Sequence, residues 1–127
     1  SEVADVPVPH PGSTLGRAFW SFRWTDAETA VFLDVWRVFY EELTDTVDNA
    51  PVIQRMFEVL RECLNRGELL TEQRVRTKME AMTKRFHEEQ NVCNRMLAKT
   101  GTASSSSWRF FEAMKDMLAS VAEVDDE

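Results

Sequence analysis

The sequence predicts an all-helical domain of four helices, and three observations carry that expectation. Apolar residues recur at steps of three and four in four separate segments, the spacing that puts them on one face of a helix. Turn-forming residues separate those segments, and no stretch alternates apolar with polar residues as a half-buried strand would. The chain of 127 residues is one domain's worth, and 43% hydrophobic residues, with four Trp and eight Phe, are enough to fill one modest core.

Each element follows from local chemistry. Residues 1–18 hold Pro7, Pro9, Pro11 and Gly12 without periodicity and read as a flexible lead-in, followed by a helical domain over 19–121 and an acidic tail over 122–127. Thr25 and Glu28 have the spacing of a capping box, in which each side chain accepts a hydrogen bond from the other residue's backbone N–H. A first helix over about 26–44 then presents Phe32, Val35, Trp36, Phe39, Tyr40 and Leu43. Pro51 fits the first turn of a second helix, where its missing N–H has no intrahelical partner to lose. That helix carries Ile53, Met56, Phe57, Leu60 and Leu64 to about Arg66, and Gly67 is placed to close it.

Thr71 caps a third helix whose apolar stripe is Val75, Met79, Met82 and Phe86, continuing more weakly through Cys93 and Met96 until Gly101. This helix is expected to be unusually long, about 40 Å at 1.5 Å per residue. The run TGTASSSS reads as a linker whose last serine caps a fourth helix bearing Trp108, Phe111, Met114, Leu118 and Val121. A phosphate added within Ser104 to Ser107 would then be favoured at that helix N-terminus. Trp24, Phe32, Trp36, Phe39, Ile53, Phe57, Leu60, Val75, Met79, Met82, Phe86, Trp108 and Phe111 are the expected core.

Charge is unevenly distributed. Residues 73–86 hold Arg74, Arg76, Lys78, Lys84 and Arg85 against Glu80 alone, a local +4 inside a chain of net −7, which leaves −11 elsewhere. On a helical wheel Gln73, Thr77, Ala81 and Lys84 lie opposite the apolar stripe, with Arg74, Lys78 and Arg85 at its border. Such a face offers donors for phosphates and base edges around a small central residue.

Other chemistries find no support. Cys63 and Cys93 form no CxxC pair and are expected as reduced thiols, and His10 and His87 stand at no metal-ligand spacing. Glu88 and Glu89 are adjacent and diverge by about 100° on a helix, so HEEQ at 87–90 is not a paired-carboxylate site. No nucleophile triad or phosphate loop is present, so neither enzymatic activity nor a cofactor is expected. No apolar run approaches the roughly 20 residues that span a bilayer, and no membrane partner is expected.

The segment WTDAETAVFLDVW resembles the opening of the trihelix, Myb/SANT-like DNA-binding domains, through Trp24, Thr25, Glu28, Thr29, Phe32, Leu33 and Trp36. Arg76, Lys78, Met82 and Phe86 match the family's third helix, and Trp108, Phe111, Met114 and Leu118 match its short added helix, so the resemblance spans about 24–118. Val75 stands where the family usually has Cys, and the second helix lacks a tryptophan. The resemblance implies a helix-turn-helix variant whose long third helix enters the DNA major groove, with Gln73, Arg74, Arg76, Thr77, Lys78, Lys84 and Arg85 as the expected contacts.

Two function classes are open at this point. One is a nuclear DNA- or chromatin-binding module of a transcription-related factor, binding DNA weakly or with assistance because the rest of the chain is acidic. The other is a protein-interaction module on the same scaffold, in which the acidic first helix pairs with a histone or other basic partner, or the long third helix and apolar residues such as Phe19, Trp20 and Phe22 mediate self-association. The first is the expectation carried forward.

Overall fold

The computed structural model describes residues 22–125. The lead-in expected over 1–18, together with Phe19 and Trp20, lies outside the described residues. Among the described residues four helices, α1 (Asp26–Asp45), α2 (Ala50–Cys63), α3 (Glu72–Thr100) and α4 (Phe111–Asp125), make up the fold, with one 3-10 turn at Gly67–Leu69. No strand occurs among the described residues. Helix α1 packs on α2 and α4, and both of these pack on α3.

Local signals set most of the boundaries. The Glu28 amide donates to Thr25 Oγ1 and the Thr25 amide to Glu28 Oε1, each at 3.0 Å, closing the capping box that starts α1. Pro51 sits in the first turn of α2, and the Arg74 amide donates to Thr71 Oγ1 at 3.1 Å to start α3. Helix α3 has 29 residues and is roughly 43 Å long at 1.5 Å per residue. Gly101 ends it at φ 73°, with its amide donating to Leu97 O, a left-handed C-terminal geometry that costs glycine little.

Three boundaries differ from the sequence expectation. Helix α2 stops at Cys63, and Leu64 leaves it in an extended conformation, so Gly67 does not close that helix. Gly67 instead opens the 3-10 turn at φ 57°, and Leu64 and Leu70 on either side of it are buried. Burial of two leucines outweighs another turn of helix, because each buried leucine gains about 1.5–3 kcal/mol. Helix α4 begins at Phe111 rather than Trp108. The Ser106 hydroxyl accepts from the Trp108 amide at 3.0 Å, so it caps the turn before α4, and the serine run is not at that helix's N-terminus. At its other end α4 continues to Asp125, through the first residues of the expected acidic tail.

The core is one cluster. Phe32, Trp36, Ile53, Leu60, Val75, Met82, Phe86 and Phe111 are buried as expected, joined by Leu33, Val52, Met56, Leu70, Met114 and Met117. Trp24, Phe39, Phe57, Met79 and Trp108 differ from expectation in being only half-buried, packed against the cluster from outside. Edge-to-face contacts run from Trp24 to Phe32 to Trp36, with centroids at 5.1 and 5.6 Å, and Phe86 stacks on Phe111 at 5.0 Å. These are favourable arrangements for aromatic quadrupoles. The indole N–H of Trp36 is buried with no hydrogen-bond partner among the described residues.

Candidate nucleic-acid interface

The first half of α3 is held on one side by the core and, on a neighbouring flank, by aromatic residues from distant parts of the chain. The Arg74 guanidinium lies 4.6 Å from the Phe22 ring centroid, the Lys78 ammonium 5.3 Å from Trp24 and the Arg85 guanidinium 5.1 Å from Trp108. Positions 74, 78 and 85 share this flank because they are spaced by four and seven residues. Each such cation–aromatic contact contributes about 0.5–1 kcal/mol at an exposed site and lays the side chain along the protein surface. Burial pushes the Lys78 ammonium below its ordinary pKa, partly offset by the nearby Asp26 carboxylate. Arg85 Nε also donates to Glu89 Oε2 at 2.8 Å.

Arg66 anchors the segment that leads into α1. Its guanidinium donates to both Glu28 oxygens, at 2.7 and 2.9 Å, and to the Arg23 carbonyl, while lying 4.4 Å from the Phe22 centroid. Phe22 therefore contacts two guanidinium groups, Arg66 and Arg74. The Arg66 hydrogen bonds hold the Glu28 carboxyl down to about 2, aided by the bond from the Thr25 amide and opposed by burial. Farther along, Arg109 pairs with Asp26 at 2.6 Å, tying the turn before α4 to the start of α1.

The remaining expected contacts face outward. Gln73, Thr77 and Lys84 are exposed with Ala81 between them, and Gln73 Nε2 donates to Thr77 Oγ1 at 3.2 Å. Arg76 is half-buried at one border of this face, and neither it nor Lys84 is in an ion pair among the described residues. On the α1 side an open cleft of about 430 Å³ runs between the helices, lined by Trp36, Met79, Glu80, Thr83, Lys84 and His87. The seven expected contacts thus form two groups: Gln73, Arg76, Thr77 and Lys84 available on or beside the outer face, and Arg74, Lys78 and Arg85 laid over aromatic rings.

The domain model for Myb/SANT-like DNA-binding domains matches residues 21–117. The chain belongs to this Myb/SANT-like family. The match includes every helix start and the whole basic half of α3, and the all-helical architecture agrees with it. No curated protein and no solved structure matches the chain. The family assignment supports DNA as the partner of this Myb/SANT-like domain.

Sequence reasoning missed that Arg66 and Arg109 tie the start of α1 to the loop after α2 and the turn before α4, and that three aromatic rings lie against the cations of α3. Among the described residues no group of three His, Cys, Asp or Glu side chains could hold a metal ion, and no helix is long and apolar enough to cross a membrane. Cys63 is an exposed free thiol and Cys93 a buried one.

Proposed function

We propose that the chain is a trihelix-type module of a nuclear, transcription-related factor that binds duplex DNA, bare or in chromatin, through the first half of α3. The role is one of recognition, without catalysis. The observation that carries the reading is the outer face of α3: Gln73, Thr77 and Lys84 stand exposed around the small Ala81, bordered by Arg76. Polar side chains at the centre suit base edges, and cations at the border suit phosphates. Arg74, Lys78 and Arg85, lying over rings, would add positive potential and short-range phosphate contacts with little further loss of side-chain freedom.

Titration of random-sequence duplex tests this. Binding should be measurable near 50 mM salt and weaken steeply by about 200 mM, because counterion release drives it. Absence of binding near 50 mM salt would refute the DNA reading.

A second reading rests on the end of α1, whose last turns carry exposed Glu41, Glu42 and Asp45 and no basic residue. Acids at a helix C-terminus are unfavourable beside its partial negative charge, and Arg55 neutralises only Glu42. A basic peptide such as a histone tail would complement this end. Retention of such a peptide by protein that fails to bind DNA would favour the interaction-module reading.

A further inference from the structure

The second half of α3 projects past the core. After Phe86 the only buried side chain on the helix is Cys93. Val92, Met96 and Leu97 are 45%, 42% and 47% exposed. They occupy positions i, i+4 and i+5 beside the buried Cys93, an apolar seam along one side of the overhang. Charges beside the seam are arranged by sign along the axis: Glu88 lies toward the body, and Arg95 and Lys99 lie toward the free end. None of these three is in an ion pair among the described residues, whereas Glu89 is engaged by both Arg85 and Ser106.

We infer that this overhang is the contact surface for a second copy of the same chain, paired antiparallel to the first. With a twofold axis between Cys93 and Asn94, Glu88 of each copy comes level with Lys99 of the other. At a rise of about 1.5 Å per residue, Met96 of one copy then lies within about 1.5 Å, along the axis, of the level of Val92 of the other. The stem of Arg95 comes level with Val92 of the other copy and can cover it while its charged end stays in water. Parallel pairing in register would set Glu88 against Glu88 and Lys99 against Lys99, so the charge pattern selects the antiparallel arrangement. A twofold pairing also closes on itself, which limits assembly to a dimer.

The seam is short. It falls below the roughly 800 Å² per partner of a stable complex, so a dissociation constant on the order of 100 μM is expected for the free protein. The inference does not depend on DNA binding, because association is measured without DNA.

Sedimentation equilibrium of the full 127-residue chain, reduced so that Cys63 and Cys93 stay as thiols, should show a monomer–dimer equilibrium across about 10–500 μM. Leu97→Glu should be monomeric throughout that range with an unchanged circular dichroism spectrum. Glu88→Lys and Lys99→Glu should each weaken association about tenfold, because each converts two symmetry-related attractions into repulsions. The double variant Glu88→Lys/Lys99→Glu should regain wild-type association. A wild type that stays monomeric at the top concentration overturns the proposal. So does a dimer that survives Leu97→Glu, or a double variant no stronger than the weaker of its single variants.

Discussion

The two halves of α3 belong to one unbroken helix, yet their surroundings and expected behaviour differ. The first half, to Phe86, is fixed by Val75, Met82 and Phe86 in the core and by three aromatic rings beside its cations. The second half has Cys93 as its one buried residue and carries two acids and two bases, Glu88, Glu89, Arg95 and Lys99. The difference shows that helix length and helix burial have separate causes here. Thr71 and Gly101 set where the helix starts and stops, and α2 and α4 decide how much of it is packed. An isolated helical overhang gains little from packing and persists because it propagates from an already formed helix.

The largest test of this contrast is truncation of apolar side chains in each half. Phe86→Ala removes a buried ring that stacks on Phe111 and should cost about 3–5 kcal/mol, enough to threaten folding of a domain this size. Trp36→Ala, in the same core, should cost a similar amount. Leu97→Ala in the overhang should change dilute-solution stability by no more than about 0.5 kcal/mol. Chemical denaturation checks all three, and a comparable loss for Leu97→Ala would show that the overhang is packed after all.

Acid unfolding comes next, and it tests the fixed half from its far side. The Glu28 carboxyl titrates near 2 in the folded protein against an ordinary value of 4.5. Because the folded value is depressed, the stabilisation is fully present above about 4.5 and is lost as pH falls toward 2. After allowance for solvent screening it is about 1–3 kcal/mol. Arg66→Met should remove most of that pH dependence, as read from denaturation midpoints between pH 2 and 6. An unchanged pH profile in the variant would mean that the Arg66 contact contributes nothing to stability.

Within the basic half the two groups of cations should separate. Arg76→Ala/Lys84→Ala should lower DNA affinity by about tenfold at moderate salt and reduce the salt slope by about two, without loss of stability. Lys78→Ala should instead reduce both affinity and thermal stability, since the Lys78 ammonium lies 5.3 Å from the Trp24 ring centroid. Equal stability of both variants would mean that the ring contact carries no weight. A local effect is expected at the end of the overhang. Gly101→Ala meets no steric neighbour but forces a left-handed φ on alanine, so a loss of about 1 kcal/mol is expected, confined to the last turn and visible as faster amide exchange there.

Local signals were legible in the sequence because their partners lie three or four residues away. Thr25 with Glu28, Thr71 with the Arg74 amide, and Gly101 with Leu97 all fall in this class. Gly67 was misread for the same reason: it does adopt a left-handed conformation, but burial of Leu64 and Leu70 by distant helices decided where α2 ends. The basic outer face of α3 was legible from helical periodicity. That Arg74, Lys78 and Arg85 lie against rings was not, because Phe22, Trp24 and Trp108 are between 23 and 54 residues away along the chain. Arg66 gave no periodic or capping signal at all, and only the folded position of the loop after α2 brings it to Glu28.

The tryptophans make the two environments optically distinct. The Trp36 indole is buried with its N–H unpartnered among the described residues, a surrounding that shifts emission to short wavelength and shields the ring from dissolved quenchers. Trp24 and Trp108 are half-exposed and lie beside Lys78 and Arg85, on the border of the surface proposed for DNA. A nucleic acid settling there would alter the long-wavelength, quencher-accessible emission of Trp24 and Trp108 and leave the blue-shifted emission of Trp36 alone, so among the described residues folding and occupancy have separate intrinsic fluorophores.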